Sequence, residues 1–279
     1  MSYHRILTIQ DISCVGQCSM TVALPILSAC GLETAILPSA VLSTHTGGFS
    51  GFTVRDLSAD MPAIEKHWQK EGLKFDAVYT GYLGSANQID YVKSIVSTCT
   101  SEGAKFIVDP AMADHGRLYY GFDENYVAAM KRLCDGADAV VPNITEACFL
   151  TDTPYREEYD EQYVNDLAEK LLALGAKRVV LTGVSYEQGF TGIFIRDENG
   201  TSYYRHKKIE KSFHGTGDIY ASALVGAWMR GNSLYDAVRI AADYTVRCIE
   251  KTIDDESHWY GTKFELALPY LVNTLGENE

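Results

Sequence analysis

Short apolar runs alternate with longer stretches of helical period along most of the chain. Residues 5–10 (RILTIQ) form a run of Leu and β-branched residues. A Gly-containing turn follows, then a helix-like stretch over 19–30 that Gly31 stops. Residues 33–37 (ETAIL), 105–108 (KFIV), 139–141 and 178–181 (RVVL) repeat the short apolar form between helical segments. That alternation predicts a parallel sheet. Residues 190–196 and 201–207, separated by Asp197-Glu198-Asn199-Gly200, predict a β-hairpin that extends the sheet with antiparallel strands. Two long helices are predicted over 216–229 and 233–251, with Gly231 between them. Residues 43–51 (STHTGGFSG) carry no apolar period and form a loop, either a mobile flap or an ordinary surface connection.

Composition narrows the picture. At 279 residues with 46% hydrophobic and 22% charged positions, the chain can bury a large core as one domain over 1–279. Acidic residues outnumber basic ones 37 to 24, a net charge of −13, which removes the footprint of a nucleic-acid binder. A bound phosphate must therefore be held by local groups, such as amides at a helix start or a divalent cation. Seven cysteines without a Cys-x-x-Cys pair read as reduced thiols, and Cys14 and Cys18 lack a second pair of zinc-site spacing. With no secretion signal, membrane span or polybasic stretch expected, the reading is of a cytoplasmic protein.

Three strand runs end in polar residues at what would be a carboxyl edge: Gln10-Asp11, Asp109-Pro110 and Leu181-Thr182-Gly183. Glu146, in Pro142-Asn143-Ile144-Thr145-Glu146, follows a fourth. Asp109 and Glu146 suit water-mediated support of Mg²⁺, although a cap and an exposed helix residue are the plainer readings. Gly215-Thr216-Gly217-Asp218 opens the helix over 216–229, where glycines let successive N–H groups converge on an anion and the helix dipole adds positive charge. Asp218 there is either a helix cap or a general base. The Walker string, the protein-kinase signatures and the Rossmann Gly-x-Gly-x-x-Gly after the first strand are all absent.

These segments together resemble the vitamin-kinase branch of the ribokinase-like superfamily, the pyridoxal kinases and their hydroxymethylpyrimidine kinase relatives. The resemblance rests on Ser43-Thr44-His45-Thr46-Gly47, Gly81-Tyr82-Leu83-Gly84-Ser85, Asp109-Pro110-Ala111-Met112, Pro142-Asn143-Ile144-Thr145-Glu146 and Gly215-Thr216-Gly217-Asp218, in the family's order. It implies a three-layer α/β/α sandwich with a mostly parallel sheet, a homodimer, and transfer of the ATP γ-phosphate to a hydroxymethyl group with Mg²⁺ as cofactor. A monovalent cation is a further candidate. Asp218 falls on the catalytic base, with Gly215, Thr216 and Gly217 as the anion hole. Asn143, Glu146, Thr182, Gly183 and Thr216 would face ATP, Asp109 would lie near its phosphates, and Tyr119 matches a lid position over the nucleotide. Asp11, Thr46 and Tyr82 would line the vitamin pocket, beside Asp218.

Asp after His214-Gly215-Thr216-Gly217 resembles pyridoxal kinases, whereas the pyrimidine kinases end that turn in Cys. His214 itself resembles the pyrimidine kinases. Asp11 stands where pyridoxal kinases often have Ser, and Val41 where a polar residue is frequent, so both bear on which ring is preferred. A B6 vitamer is the expected acceptor and hydroxymethylpyrimidine the alternative. A non-catalytic vitamin-binding protein, or a kinase for sugars or nucleosides, fits the acids and the short 11–60 stretch less well. An Asp at a helix start is expected to stay ionised.

Overall fold

A computed structural model describes residues 3–276. Its elements in order are β1 Arg5–Ser13, α1 Met20–Ala29, β2 Glu33–Leu42, β3 Val54–Asp56, α2 Met61–Lys70, β4 Phe75–Thr80, α3 Ala86–Thr98, β5 Thr100–Val108, β6 Ala113–Asp114, β7 Arg117–Leu118 and α4 Glu124–Cys134. Then come β8 Ala139–Val140, α5 Ile144–Leu150, α6 Glu161–Ala173, β9 Val179–Val184, β10 Phe190–Asp197, β11 Gly200–Lys207, α7 Thr216–Met229, α8 Leu234–Glu250, a 3-10 turn Phe264–Ala267 and α9 Leu268–Gly276.

Among the described residues nine strands form one sheet in the order β11-β10-β9-β8-β5-β4-β1-β2-β3. The six from β9 to β2 pair in parallel, while β10, β11 and β3 add antiparallel edges. Side chains alternate across the pleat: Leu7, Ile9 and Val78 join the core under α2 to α6, and Ile6, Ala77 and Tyr79 join the core under α1, α7, α8 and α9. Burial on both faces explains why the strands read as unbroken apolar runs. The result is the three-layer, mostly parallel architecture expected from the resemblance.

Each predicted strand is present, several longer than their apolar runs. β1 continues through Asp11 to Ser13 by a register shift against β2 between Gln10 and Ile12. Asp11 therefore sits inside the strand end and is buried, not just beyond it. Likewise β9 includes Thr182 and Gly183. From β1 the chain crosses to β2 on one side, then returns to β4 on the other and continues to β5, β8 and β9. The order reverses beside β1, and a crevice at such a switch point is where open α/β sheets bind ligands.

Candidate active site

The start of α7 is built by Gly215. Its φ of 77° is left-handed, and a Cβ there would lie 1.8 Å from the Gln17 carbonyl oxygen, so only glycine fits. The first helical bond runs from Ile219 N–H to the Gly215 oxygen at 3.0 Å, which leaves the amides of Thr216, Gly217 and Asp218 ahead of the ladder. Thr216 Oγ1 donates to the Phe213 carbonyl at 3.2 Å and fixes its own side chain away from those amides. An anion at this point meets three N–H donors and the positive end of a helix of 14 residues.

Asp218 carries the first acid of that turn. Protein crowded around it pushes its carboxyl up to about 7; the Ser19 amide opposes the rise and the Asp11 carboxylate adds to it. Desolvation thus outweighs the helix start, and the expectation of an ordinary ionised Asp is corrected: at neutral pH the group is near its midpoint. That is where a general base is most effective.

Asp109 ends β5, with its N–H bonded to the Thr80 oxygen at 3.0 Å. Its carboxyl is held well above the ordinary range by burial and by Asp218. Glu146, at 3% exposure, is no exposed helix residue. It closes a capping box on α5: Asn143 N–H donates to Glu146 Oε2 at 2.9 Å, and Glu146 N–H donates to Asn143 Oδ1 at 2.9 Å. Met112 N–H donates to Glu146 Oε1 at 3.1 Å, and Asn143 Nδ2 donates to the Ala113 oxygen at 2.9 Å. Burial and Asp109 still raise the Glu146 carboxyl well above its usual value. No Lys or Arg among the described residues pairs with Asp11, Asp109, Glu146 or Asp218. Among the described residues no group of three or more acidic, His or Cys side chains is gathered to hold a metal ion, so Mg²⁺ here would take one or two carboxylates and complete its shell with water.

Around this cluster the other predicted residues fall into two groups. Among those expected to face ATP, Thr182 bridges to Asn143 in parallel register and its N–H donates to the Pro142 oxygen at 2.9 Å. The Gly183 oxygen accepts from Tyr159 Oη at 3.4 Å. Tyr119, 42% exposed, has its hydroxyl pKa raised by burial and by the charges of Glu146, Asp114, Asp109 and Asp218. At the switch point, Asp11 accepts from Ser13 Oγ at 2.9 Å, and its carboxyl is raised by burial. The Tyr82 hydroxyl is raised by burial and by Asp11. Thr46 lies exposed on the loop over 43–51, and among the described residues no hydrogen bond joins it to the acids.

Sequence reasoning missed Ser19, which stands between Asp11 and Asp218 with φ 52°. Its hydroxyl favours the Asp11 carboxylate and its amide the Asp218 carboxylate. A non-Gly residue in that region costs about 1–3 kcal/mol and persists where neighbours hold it. It also missed Phe122, whose ring packs 5.4 Å from Tyr82 and stacks 3.8 Å from Tyr126. Neither has a sequence signal, because a left-handed Ser and an aromatic in a loop look ordinary.

The family model for phosphomethylpyrimidine kinase matches residues 27–262, most of the chain. The chain belongs to that family. Among its relatives, the hydroxymethylpyrimidine/phosphomethylpyrimidine kinase of Bacillus subtilis is 28% identical over 222 residues, covering 79% of this chain and 78% of the relative. The solved pyridoxal kinase of Lactobacillus plantarum is 32% identical with a TM-score of 0.91, covering 100% of this chain and 99% of that one. A structure from Bacteroides thetaiotaomicron, provisionally assigned as a phosphomethylpyrimidine kinase and solved with pyridoxal, is 33% identical with a TM-score of 0.91, covering 97% and 96%. The protein is thus a kinase with the ribokinase-like fold of the pyridoxal and phosphomethylpyrimidine kinases. No helix among the described residues is long and apolar enough to cross a membrane.

Proposed function

We propose that this kinase transfers the γ-phosphoryl group of ATP to the hydroxymethyl group of pyridoxal and related B6 vitamers, with Asp218 as general base. The observation that carries the reading is Asp218 itself, a carboxyl near its midpoint at neutral pH in the same helical turn as three free amides. Asp218 accepts the hydroxyl proton as the oxygen attacks. The amides of Thr216, Gly217 and Asp218 meet the charge that spreads over the transferred group. Ser19 keeps the base oriented, and Asn143 holds Glu146 through the capping box. Asp109 and Glu146 would hold Mg²⁺, which when bound supplies charge neutralisation at the phosphates. Asp11, Thr46 and Tyr82 would line the acceptor side, with Asn143, Thr182, Gly183 and Tyr119 on the ATP side.

Hydroxymethylpyrimidine is the competing acceptor, favoured by His214 before the glycine turn and by the Bacillus subtilis relative. An ADP-release assay offering pyridoxal, pyridoxine, pyridoxamine and hydroxymethylpyrimidine separately with Mg-ATP decides between them. The largest kcat/KM is expected for a B6 vitamer. Turnover confined to hydroxymethylpyrimidine reassigns the acceptor, and release with none of the four rejects the vitamin-kinase reading.

A further inference from the structure

The loop over 43–51 is tied to a strap at 257–261 that follows α8. His45 is buried; its Nδ1 accepts from Gly47 N–H at 3.1 Å, which leaves the ring proton on Nε2, 2.7 Å from the Tyr260 carbonyl oxygen. The Phe49 ring lies 4.6 Å from Trp259 and edge-on to His45 at 5.0 Å. Gly48 has φ +79°, and a Cβ there would meet the Trp259 ring at 2.8 Å, so the close approach of strap to loop needs glycine. At its other side the strap holds the segment before α1: His258 Nε2 lies 2.8 Å from Gln17 Oε1. His45 also faces His214, ring centres 5.1 Å apart, and His214 precedes the Gly215 cradle. One strap therefore touches the loop that carries Thr46 and the segment between Asp11 and α1, and reaches the cradle through His45.

The sequence motifs that mark the site stop at Asp218, so they assign nothing to 257–261. We propose that this strap is a wall of the acceptor pocket, with Trp259 and the Tyr260 carbonyl as positioning groups that hold the 43–51 loop, and with it Thr46, over a planar aromatic acceptor. The argument rests on the acceptor-kinase reading for its ligand but not for its mechanics. Backbone bonds hold the loop at its ends, where Ser43 N–H donates to the Thr53 oxygen at 3.1 Å and Thr53 N–H to Ser43 Oγ at 2.9 Å, and at His45, whose N–H donates to the Val15 oxygen at 3.2 Å, while its tip at Gly48 and Phe49 packs on Trp259. Contacts with the strap then order that tip. Loosening it weakens acceptor binding and leaves the phosphoryl-transfer groups where they are.

Two measurements on the full chain test this. Trp259 is 44% exposed, so Trp259→Ala opens no core cavity. In steady-state assays with pyridoxal, Trp259→Ala and Phe49→Ala are each expected to raise the acceptor KM about threefold to tenfold, the range of one aromatic pair. The KM for ATP should hold and kcat should change less than about threefold, with Trp259→Phe restoring most of the loss. An unchanged acceptor KM, or equal losses in both KM values and kcat, overturns the proposal. Hydrogen exchange on the ligand-free protein gives a readout independent of acceptor identity: protection of 43–51 should fall in Trp259→Ala. If wild type phosphorylates no vitamer yet protection falls, the acceptor reading has failed and the latch stands; unchanged protection overturns the latch.

Discussion

At the scale of single residues, Asp218 is the group whose chemistry the fold changes most. As a base it must be ionised, and its carboxyl lies at about 7, so kcat/KM should rise with pH along a limb centred near neutrality and fall tenfold per unit below it. A pH–rate profile on the free enzyme checks this; a limb in the ordinary carboxylate range would assign the base elsewhere. Asp218→Asn should lose about 10² to 10⁴ in turnover while nucleotide titration shows binding nearly intact. The same substitution should stabilise the fold. The folded carboxyl titrates at about 7 against 3.8 ordinarily, so the folded chain holds its proton where the unfolded chain has lost it, and stability falls as pH rises through that window. Calorimetry should therefore show Asp218→Asn raising Tm by up to about 7 °C at pH 8, from roughly 4 kcal/mol of linkage, and by less at pH 5. Sequence offered Asp218 as cap or base from its own turn and as base through the resemblance, but not its shifted carboxyl, because the crowding that shifts it comes from Ser19, Asp11 and the sheet edge, which are distant along the chain.

At the scale of elements, α5 is seven residues long and owes its position to its first turn. The pattern Asn-x-x-Glu is legible as a capping box, but not that the Glu is buried and that a third donor, Met112 N–H, comes from the β5 side. Replacing Asn143 by Ala removes the cap and the bond to Ala113, with an expected loss of about 1–2 kcal/mol in urea unfolding; Asn143→Asp, which keeps the acceptor, should recover part of it. Strand and helix runs with strong apolar patterns, such as β1 and α7, could be read directly, and the β10–β11 hairpin followed from its polar turn. The α2, β4 and α4 segments could not, since α2 (MPAIEKHWQK) buries only Met61 and Glu65 and carries a mixed surface. The strap at 257–261 has no period at all, and its partners lie some 200 residues earlier, a relation that no local pattern encodes.

Across the whole molecule, acidic groups gather at the sheet edge where the proposed function puts an anionic nucleotide. The chain carries a net charge of −13, and Asp11, Asp109, Glu146 and Asp218 come from four places in the sequence to one edge of the sheet, where among the described residues no Lys or Arg pairs with them and His45 faces Asp11 alone. Three helix-start amides attract phosphate, but the acids beside them offer it no positive charge, and any of the four that ionises repels it. A divalent cation reverses that balance, and binding to the folded state alone raises stability by about 2.7 kcal/mol at a hundredfold excess over Kd. For a chain this size that is about 5 °C in Tm. Thermal melts with ADP should show such a shift with Mg²⁺, and under about 1 °C at the same ADP concentration in EDTA. Asp109→Asn should narrow the gap, since it removes one proposed Mg²⁺ donor. An equal shift with and without chelator would mean that the amide cradle alone overcomes the acids.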